Sequence, residues 1–171
     1  MQNYFELFDL KTSFFVDDEA LKKAYQAQVT RFHPDNFATK SQAEQVQALQ
    51  NTSLVNSAYT TLKTPLNRAS YLLNLEDVDP FDEKDTNMDT NFLLSQIELR
   101  EQLEGIKEQQ DSLALDEFIE RVQDFIRDNV ASISGAFMQS KDLQEIKTLV
   151  RELKFYDQLN KEANILMDEW L

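Results

Sequence analysis

The chain has 171 residues, 42% of them hydrophobic, which is enough to bury one core of ordinary size or two small ones and argues against disorder of the whole chain. With two glycines and three prolines it has few residues suited to β-hairpin turns, so we expect an all-α protein. The absence of cysteine excludes disulfides, zinc–cysteine sites and thiol catalysis. The formal net charge of −14 repels phosphates and anionic lipid, which disfavours nucleic acid and membranes as partners and favours a cationic protein.

The N-terminal region predicts a helical hairpin. In "YFELFDL", residues 4–10, five apolar side chains suffice for one turn lying across that hairpin. Asp17, followed by two more acids, is typical of an N-cap with an acidic first turn. The first long helix is predicted over about residues 18–32, because Pro34 disfavours helical geometry at His33.

A second long helix follows the loop. Ser41 and Glu44 form the S-x-x-E pattern of a capping box, and the helix is predicted to reach about residue 63. Its apolar positions with helical spacing are Val46, Leu49, Val55, Tyr59 and Leu62. Thr64 then serves as a cap with Pro65 at the first helical position, which predicts a short helix in "PLNRASYLLNL".

The composition changes after residue 75. Residues 1–75 carry seven basic and seven acidic side chains, so the entire excess negative charge lies further along the chain. The stretch "EDVDPFDEKDTNMDT" contains seven acids, one lysine and one proline, which favours a solvated connector. The predicted organisation is an N-terminal domain over 1–75, an acidic connector over 76–89 and a second domain over 90–171.

The second domain contains three helical patterns, over about 90–110, 112–135 and 140–170, which predict an antiparallel three-helix bundle. On a helical wheel, one stripe of the first pattern is a normal core face. It contains Phe92, Leu99, Leu103 and Ile106. Nearly opposite is a second face, apolar at one end and acidic at the other, with Leu93, Leu94, Ile97, Glu101, Glu104 and Glu108.

Two interpretations of that second face stay open. If this helix is central to its bundle, both stripes are buried. If each helix buries only one face, as is normal in a three-helix bundle, an exposed apolar patch with a charged rim remains, which is typical of a partner site. Phe155 has a similar ambiguity, because it lies off the face shared by Ile146, Leu149, Val150 and Leu153. It is either a partner residue or a residue recruited to the core by drift of the core along a long helix.

The sequence contains no membrane or secretion signal. No apolar run approaches the roughly 20 residues of a membrane span. The N-terminus "MQNYFELFDL" is neither a basic-then-apolar secretion signal nor an arginine-rich presequence. We therefore expect a soluble cytoplasmic protein.

The one histidine lies in a His33-Pro34-Asp35 tripeptide between the two long helices. General acid–base catalysis by histidine needs an orienting carboxylate and a nucleophile or substrate pocket, and only Asp35 is nearby in sequence. There is also no glycine-rich phosphate loop, no GxSxG and no second histidine to share a metal, so we expect neither an enzyme nor a metal or cofactor site. The alternatives are a plain turn and a stiff docking loop.

Residues 1–75 resemble the J-domain, whose signature is an HPD loop between two antiparallel helices. The resemblance lies in "YFELFDL", "DDEALKKAYQAQVTRFHPDNFA" and "VNSAYTTLKTPLNRASYLL". It implies binding to a DnaK-type ATPase chaperone and stimulation of its ATP hydrolysis, with His33, Pro34 and Asp35 in contact. The family also uses a basic helix face to meet the chaperone, and the corresponding residues here are Lys22, Lys23 and Arg31 with Gln26 and Thr30. After HPD the family usually has lysine, where this chain has Asn36.

Over its full length the chain resembles the HscB family, the J-domain co-chaperones of iron–sulfur cluster assembly. "DTNFLLSQIELREQLEGI" and "VRELKFYDQLNK" are similar to the first and last bundle helices of that family. The resemblance implies that the bundle binds an IscU-type scaffold and that the J-domain presents it to an HscA-like chaperone. The implied scaffold-binding residues are Leu93, Leu94, Ile97, Glu98, Glu101, Glu104 and Phe155. A general J-protein with another or unfolded-protein client is the alternative.

Overall fold

The computed structural model describes residues 3–85 and 88–171, and over these residues the fold is all-α, with no strand. Residues 86 and 87 of the predicted connector lie outside the described part. The chain divides into two compact units, Met1–Leu75 and Glu76–Leu171. The predicted all-α fold is confirmed.

Residues 3–75 of the first unit form four α-helices and one short 3-10 helix. Their bounds are α1 Tyr4–Leu7, α2 Asp18–Arg31, the 3-10 helix Pro34–Phe37, α3 Gln42–Lys63 and α4 Pro65–Leu75. Asp17 caps α2, because its carboxylate accepts the N–H groups of Glu19 and Ala20. Ser41 Oγ accepts the N–H of Glu44 at 3.2 Å, which starts α3 as the capping pattern predicts.

The core of the first unit lies between the α2–α3 hairpin, α1 and α4. Its buried side chains include Phe5, Phe8, Phe14, Leu21, Val55, Leu62 and Leu73. On α3 the structure differs from the apolar pattern, because Val46 is 46% exposed and Leu49 is 61% exposed. The nine residues between Val46 and Val55 span two and a half helical turns, which puts them on opposite sides of the helix, and Ala48 and Ala58 fill the core face instead.

Arg68 is a charged residue inside this core, with 6% of its surface exposed. Its Nε donates to the carbonyl of Leu62 at 3.0 Å, and its Nη1 donates to the carbonyl of Phe14 at 2.9 Å. The carboxylate of Asp18 lies 3.8 Å from Nη2. Arg68 therefore connects the segment before α2, the end of α3 and α4.

The second unit is a bundle of three helices, α5 Thr90–Gln109, α6 Ser112–Met138 and α7 Leu143–Trp170. α6 and α7 share the most extensive contact, and α5 packs against both. Phe92, Leu99 and Leu103 of α5 are buried, in agreement with the stripe predicted from the helical wheel. α6 continues three residues past its predicted end, through Gly135, because Ile133 and Ala136 are buried.

The described part of the acidic segment packs on the second unit. Pro80 is buried, while Phe81 and Asp85 are half-buried. Asp85 makes ion pairs with Lys147 and with Arg151 of α7. Opposite charge on α7 thus attracts a segment whose composition alone favours a fully solvated connector.

Candidate functional site

The HPD tripeptide forms a short, ordered and exposed loop between α2 and α3. His33 has φ −59° and ψ 137°, the extended geometry that a following proline favours, and Pro34 begins the 3-10 helix. Nδ1 of His33 accepts the N–H of Asp35 at 3.2 Å, so the neutral ring carries its proton on Nε2. The side chains of His33 and Asp35 are 53% and 92% exposed, which makes both accessible to a partner.

Hydrogen bonds hold this loop to both neighbouring helices. The side-chain amide of Asn36 donates to the carbonyl of Thr30 at 2.7 Å and ties the loop to the end of α2. From α3, Gln45 Nε2 donates to the carbonyl of Lys40 at 3.2 Å, and Thr52 Oγ1 donates to the carbonyl of Phe32 at 3.4 Å. A loop fixed in this way loses little conformational entropy when it binds.

The predicted basic face of α2 is exposed along its length. Lys22, Lys23 and Arg31 are all exposed, as are Gln26 and Thr30 between them. The guanidinium of Arg31 lies over the ring of Phe32, 5.2 Å from its centroid, next to the HPD loop. These three cations lie on the helix that leads directly into His33. One partner surface can therefore contact the basic face of α2 and the HPD loop together.

The second predicted site, on the bundle, combines exposed apolar and acidic side chains of α5. Leu93, Leu94 and Ile97 are 42%, 59% and 55% exposed, which excludes the interpretation that both stripes of this helix are buried. Glu98, Glu101 and Glu104 are exposed on the following turns. We call Leu93, Leu94, Ile97 and Phe155 the α5–α7 patch.

Phe155 contributes to both the core and this patch. It is half-buried and packs against the cluster formed by Leu99, Phe118 and Leu159, among others. It also lines an open groove together with Leu93. The sequence left two alternatives for Phe155, a partner residue or a residue recruited to the core. Both hold in part, because the core extends toward Phe155 along the 28 residues of α7 while the groove leaves part of the ring accessible.

Sequence reasoning missed several residues that position these side chains. Arg100 makes an ion pair with Glu162 across α5 and α7, and its guanidinium lies 5.5 Å from the ring centroid of Phe155. Phe81 also lines the groove shared by Leu93 and Phe155. Phe81 could have been noticed in the sequence, because it is the single aromatic residue among seven acids. No neighbouring residue in the sequence indicates that Arg100 pairs with Glu162.

The described residues contain neither a metal-binding cluster nor a membrane-spanning helix. No group of three or more histidine, aspartate or glutamate side chains within 3–85 and 88–171 is arranged to hold a metal ion. No helix in the same ranges is long and apolar enough to cross a membrane.

Two protein families match the chain, one over each of the two parts that contain a predicted site. Residues 3–71 match the family described as "DnaJ domain", and residues 88–164 match the family described as "HSCB C-terminal oligomerisation domain". The HPD loop lies in the first match and the α5–α7 patch lies in the second.

Solved structures resemble the chain over nearly its full length. "Chaperone HscB from Vibrio cholerae" is 38% identical with a TM-score of 0.88, covering 99% of this chain and 100% of that chain. The human co-chaperone protein HscB is 31% identical with a TM-score of 0.89, covering 96% and 82%. The Saccharomyces cerevisiae Jac1 co-chaperone, at 22% identity and a TM-score of 0.77, shares the fold. The chain therefore belongs to the HscB family of J-domain co-chaperones, which are not enzymes.

Proposed function

We propose that the chain stimulates the ATPase of an HscA-like, DnaK-type chaperone and delivers an IscU-type scaffold to it during iron–sulfur cluster assembly. In this proposal residues 1–75 act as the J-domain, 76–89 connect, and the bundle of 90–171 binds the scaffold. The observation that carries it is the presence, in one chain, of a fixed HPD loop and an exposed apolar patch with an acidic rim. Similarity to a bacterial HscB supports a cytoplasmic role.

The chaperone contact is assigned to His33, Pro34, Asp35 and Asn36, with Lys22, Lys23 and Arg31 supplying positive charge. Exposed single charges contribute little affinity in water but guide the approach of an acidic partner, and salt screens them. The HPD loop then supplies a contact that needs no rearrangement, because Asn36, Gln45 and Thr52 already hold its backbone.

The scaffold contact is assigned to Leu93, Leu94, Ile97 and Phe155, with Glu98, Glu101 and Glu104 as acidic neighbours. Burial of exposed leucine and phenylalanine supplies affinity at about 25 cal/mol per Å² of apolar surface removed from water, before the costs of association. The glutamates select a cationic partner surface. Holding one client on the same chain as the HPD loop raises its local concentration at the chaperone.

Steady-state ATP hydrolysis by the chaperone tests the first contact. Asp35→Asn removes one exposed charge from the loop and is expected to abolish stimulation with an unchanged circular dichroism spectrum. Asp116→Asn, an equal change at an exposed position of α6, is the control and is expected to stimulate normally. Undiminished stimulation by Asp35→Asn would refute docking through the loop.

Isothermal titration with the scaffold tests the second contact. Leu93, Leu94 and Phe155 changed together to serine are expected to weaken binding at least a hundredfold, as loss of central apolar anchors does. Thermal unfolding of the same variant must remain cooperative, because an unfolded bundle would mean that these residues serve the core alone. Capture of many unfolded proteins without a cluster scaffold would favour the general J-protein instead.

A further inference from the structure

Residues 81–85 form one wall of an open groove on the second unit, with α5 and α7 as the other walls. The groove has a volume of about 510 Å³. Its apolar lining is Phe81, Met88, Leu93 and Phe155, and Asp82 and Glu83 lie at its rim. Two of the apolar residues belong to the α5–α7 patch, so the groove and the patch form one continuous surface. We call it the connector groove.

The wall made by residues 81–85 is held in place by charge. The side chains of Lys147 and Arg151, on successive turns of α7, are only 12% and 19% exposed and both pair with the carboxylate of Asp85. Such partly desolvated pairs are screened less by water than surface pairs. Lys154, one turn further on, places its Nζ 4.2 Å from the ring centroid of Phe81.

Hydrogen bonds donated by backbone N–H groups fix the turn itself. The N–H of Phe81 donates to Asp79 Oδ1 at 2.9 Å, and the N–H of Lys84 donates to Asp82 Oδ1 at 3.0 Å. The N–H of Asp85 donates to the carbonyl of Asp82 at 3.0 Å. The wall therefore keeps its shape before any partner binds, which lowers the entropic cost of using it.

We infer that the connector groove is the continuation of the scaffold-binding surface and takes one apolar side chain of the scaffold that is flanked by lysine or arginine. This inference rests on the proposed function, because the groove shares Leu93 and Phe155 with the patch. The cations that line the groove are engaged, Arg151 by Asp85 and Lys154 by the ring of Phe81. Asp82 and Glu83 are exposed at the rim and set an anionic boundary that matches a cationic neighbour of the inserted side chain.

Binding of purified scaffold to the full chain, measured by isothermal titration, tests the groove. Phe81→Ala is expected to weaken binding about tenfold through loss of an apolar wall. The pair Asp82→Asn with Glu83→Gln is expected to weaken it severalfold at low salt and to flatten its salt dependence. The matched control is Asp116→Asn with Glu117→Gln, the same neighbouring acid pair exposed on α6, which is expected to bind normally.

A site-specific label gives a readout that does not depend on the stability of the wall. Because the chain has no cysteine, Glu83→Cys carries one unique thiol for an environment-sensitive fluorophore and keeps the Asp82 carboxylate that holds the turn. Added scaffold is expected to shift its emission, while the same label at Asp116→Cys does not respond. A shift that follows the concentration of the labelled protein alone would assign the groove to a second copy of this chain and overturn the inference.

The two proposals fail in different ways. Wild-type affinity of Phe81→Ala, together with loss of binding in the serine variant of Leu93, Leu94 and Phe155, would overturn the groove and leave the proposed function standing. Retained binding in the serine variant would overturn the proposed scaffold contact itself. Asp85→Asn, which releases the wall from Lys147 and Arg151 without altering a lining ring, is expected to weaken binding less than Phe81→Ala does.

Discussion

The ring of Phe92 meets the ring of Phe155 edge to face, with the two centroids 5.8 Å apart and the planes at 88°. Phe92 is 7% exposed and lies in the core, whereas Phe155 is half-buried beside the exposed leucines of α5. Edge-to-face pairs contribute about 0.5–1.5 kcal/mol beyond the area that they bury. Phe92 thus fixes the orientation in which Phe155 is presented.

Phe92→Leu is expected to weaken scaffold binding severalfold, because leucine keeps the position apolar but removes the ring edge that orients Phe155. The bundle should lose about 1–2 kcal/mol of unfolding free energy and stay folded. Isothermal titration and chemical denaturation measure the two effects. The control Phe118→Leu removes a buried ring of α6 from the same core, and equal losses of affinity in both variants would show that stability alone is responsible.

Asn36→Ala is expected to raise the concentration of this protein needed for half-maximal chaperone stimulation about fivefold. It removes the hydrogen bond from the side-chain amide to Thr30, and a net loss of about 1 kcal/mol corresponds to that factor. Asn36→Lys exchanges the same hydrogen bond for a charge, so its half-maximal concentration should depend strongly on salt. An Asn36→Ala variant that stimulates like the wild type would contradict a role in holding the loop.

Arg68→Met is expected to lower the unfolding free energy of the first unit by about 2–4 kcal/mol. The change leaves the carbonyls of Leu62 and Phe14 without the donor that now satisfies them inside the core. Trp170, the single tryptophan, lies in α7 and reports on the second unit alone. Circular dichroism should therefore show an early helical transition that Trp170 fluorescence does not, and an unshifted transition would contradict the prediction.

Glu152→Gln is expected to stabilise the second unit near pH 7. Burial raises the pKa of Glu152, and the carboxylate of Asp89 raises it further. The folded state therefore favours the protonated form, and the associated stability is lost as the pH rises through the folded pKa. Glutamine has no charge to bury and keeps an oxygen for the amide of Asn129, which now donates to Glu152 at 3.4 Å.

Denaturation followed by Trp170 fluorescence at two pH values checks this sign. The gain from Glu152→Gln should be largest near pH 7 and shrink toward about pH 4, where the unfolded carboxyl also holds its proton. Glu120→Gln, at an exposed position of α6, serves as the control and should show no such trend. A gain that grows as the pH falls would contradict burial as the cause.

Features that depend on neighbouring residues were predictable from the sequence. Asp17 and Ser41 start helices because a side-chain oxygen satisfies backbone N–H groups two or three residues away. Pro34 ends α2 through its own ring. The apolar stripe of α5 is buried as predicted, because helical periodicity alone places Phe92, Leu99 and Leu103 on one side.

Contacts between distant residues decided the rest. Val46 and Leu49 follow an apolar pattern but remain exposed, because they lie off the face of α3 that buries Ala48, Val55 and Ala58. In the sequence, Asn36 is a departure from the lysine usual in the family. In the fold, its side-chain amide donates to the carbonyl of Thr30 and holds the HPD loop to the end of α2. Neither outcome is visible without the neighbouring element.

Helix caps, proline and apolar periodicity act within a few residues, so the helices, the exposed HPD loop and the second apolar face of α5 can be predicted from the sequence. The fold was needed to show that Phe155 belongs to both core and surface, and that Asp85 holds an acidic segment against Lys147 and Arg151. Burial and ion pairing depend on which side chains meet in space. Asp85 and Lys147 are 62 residues apart in the chain and adjacent in the fold.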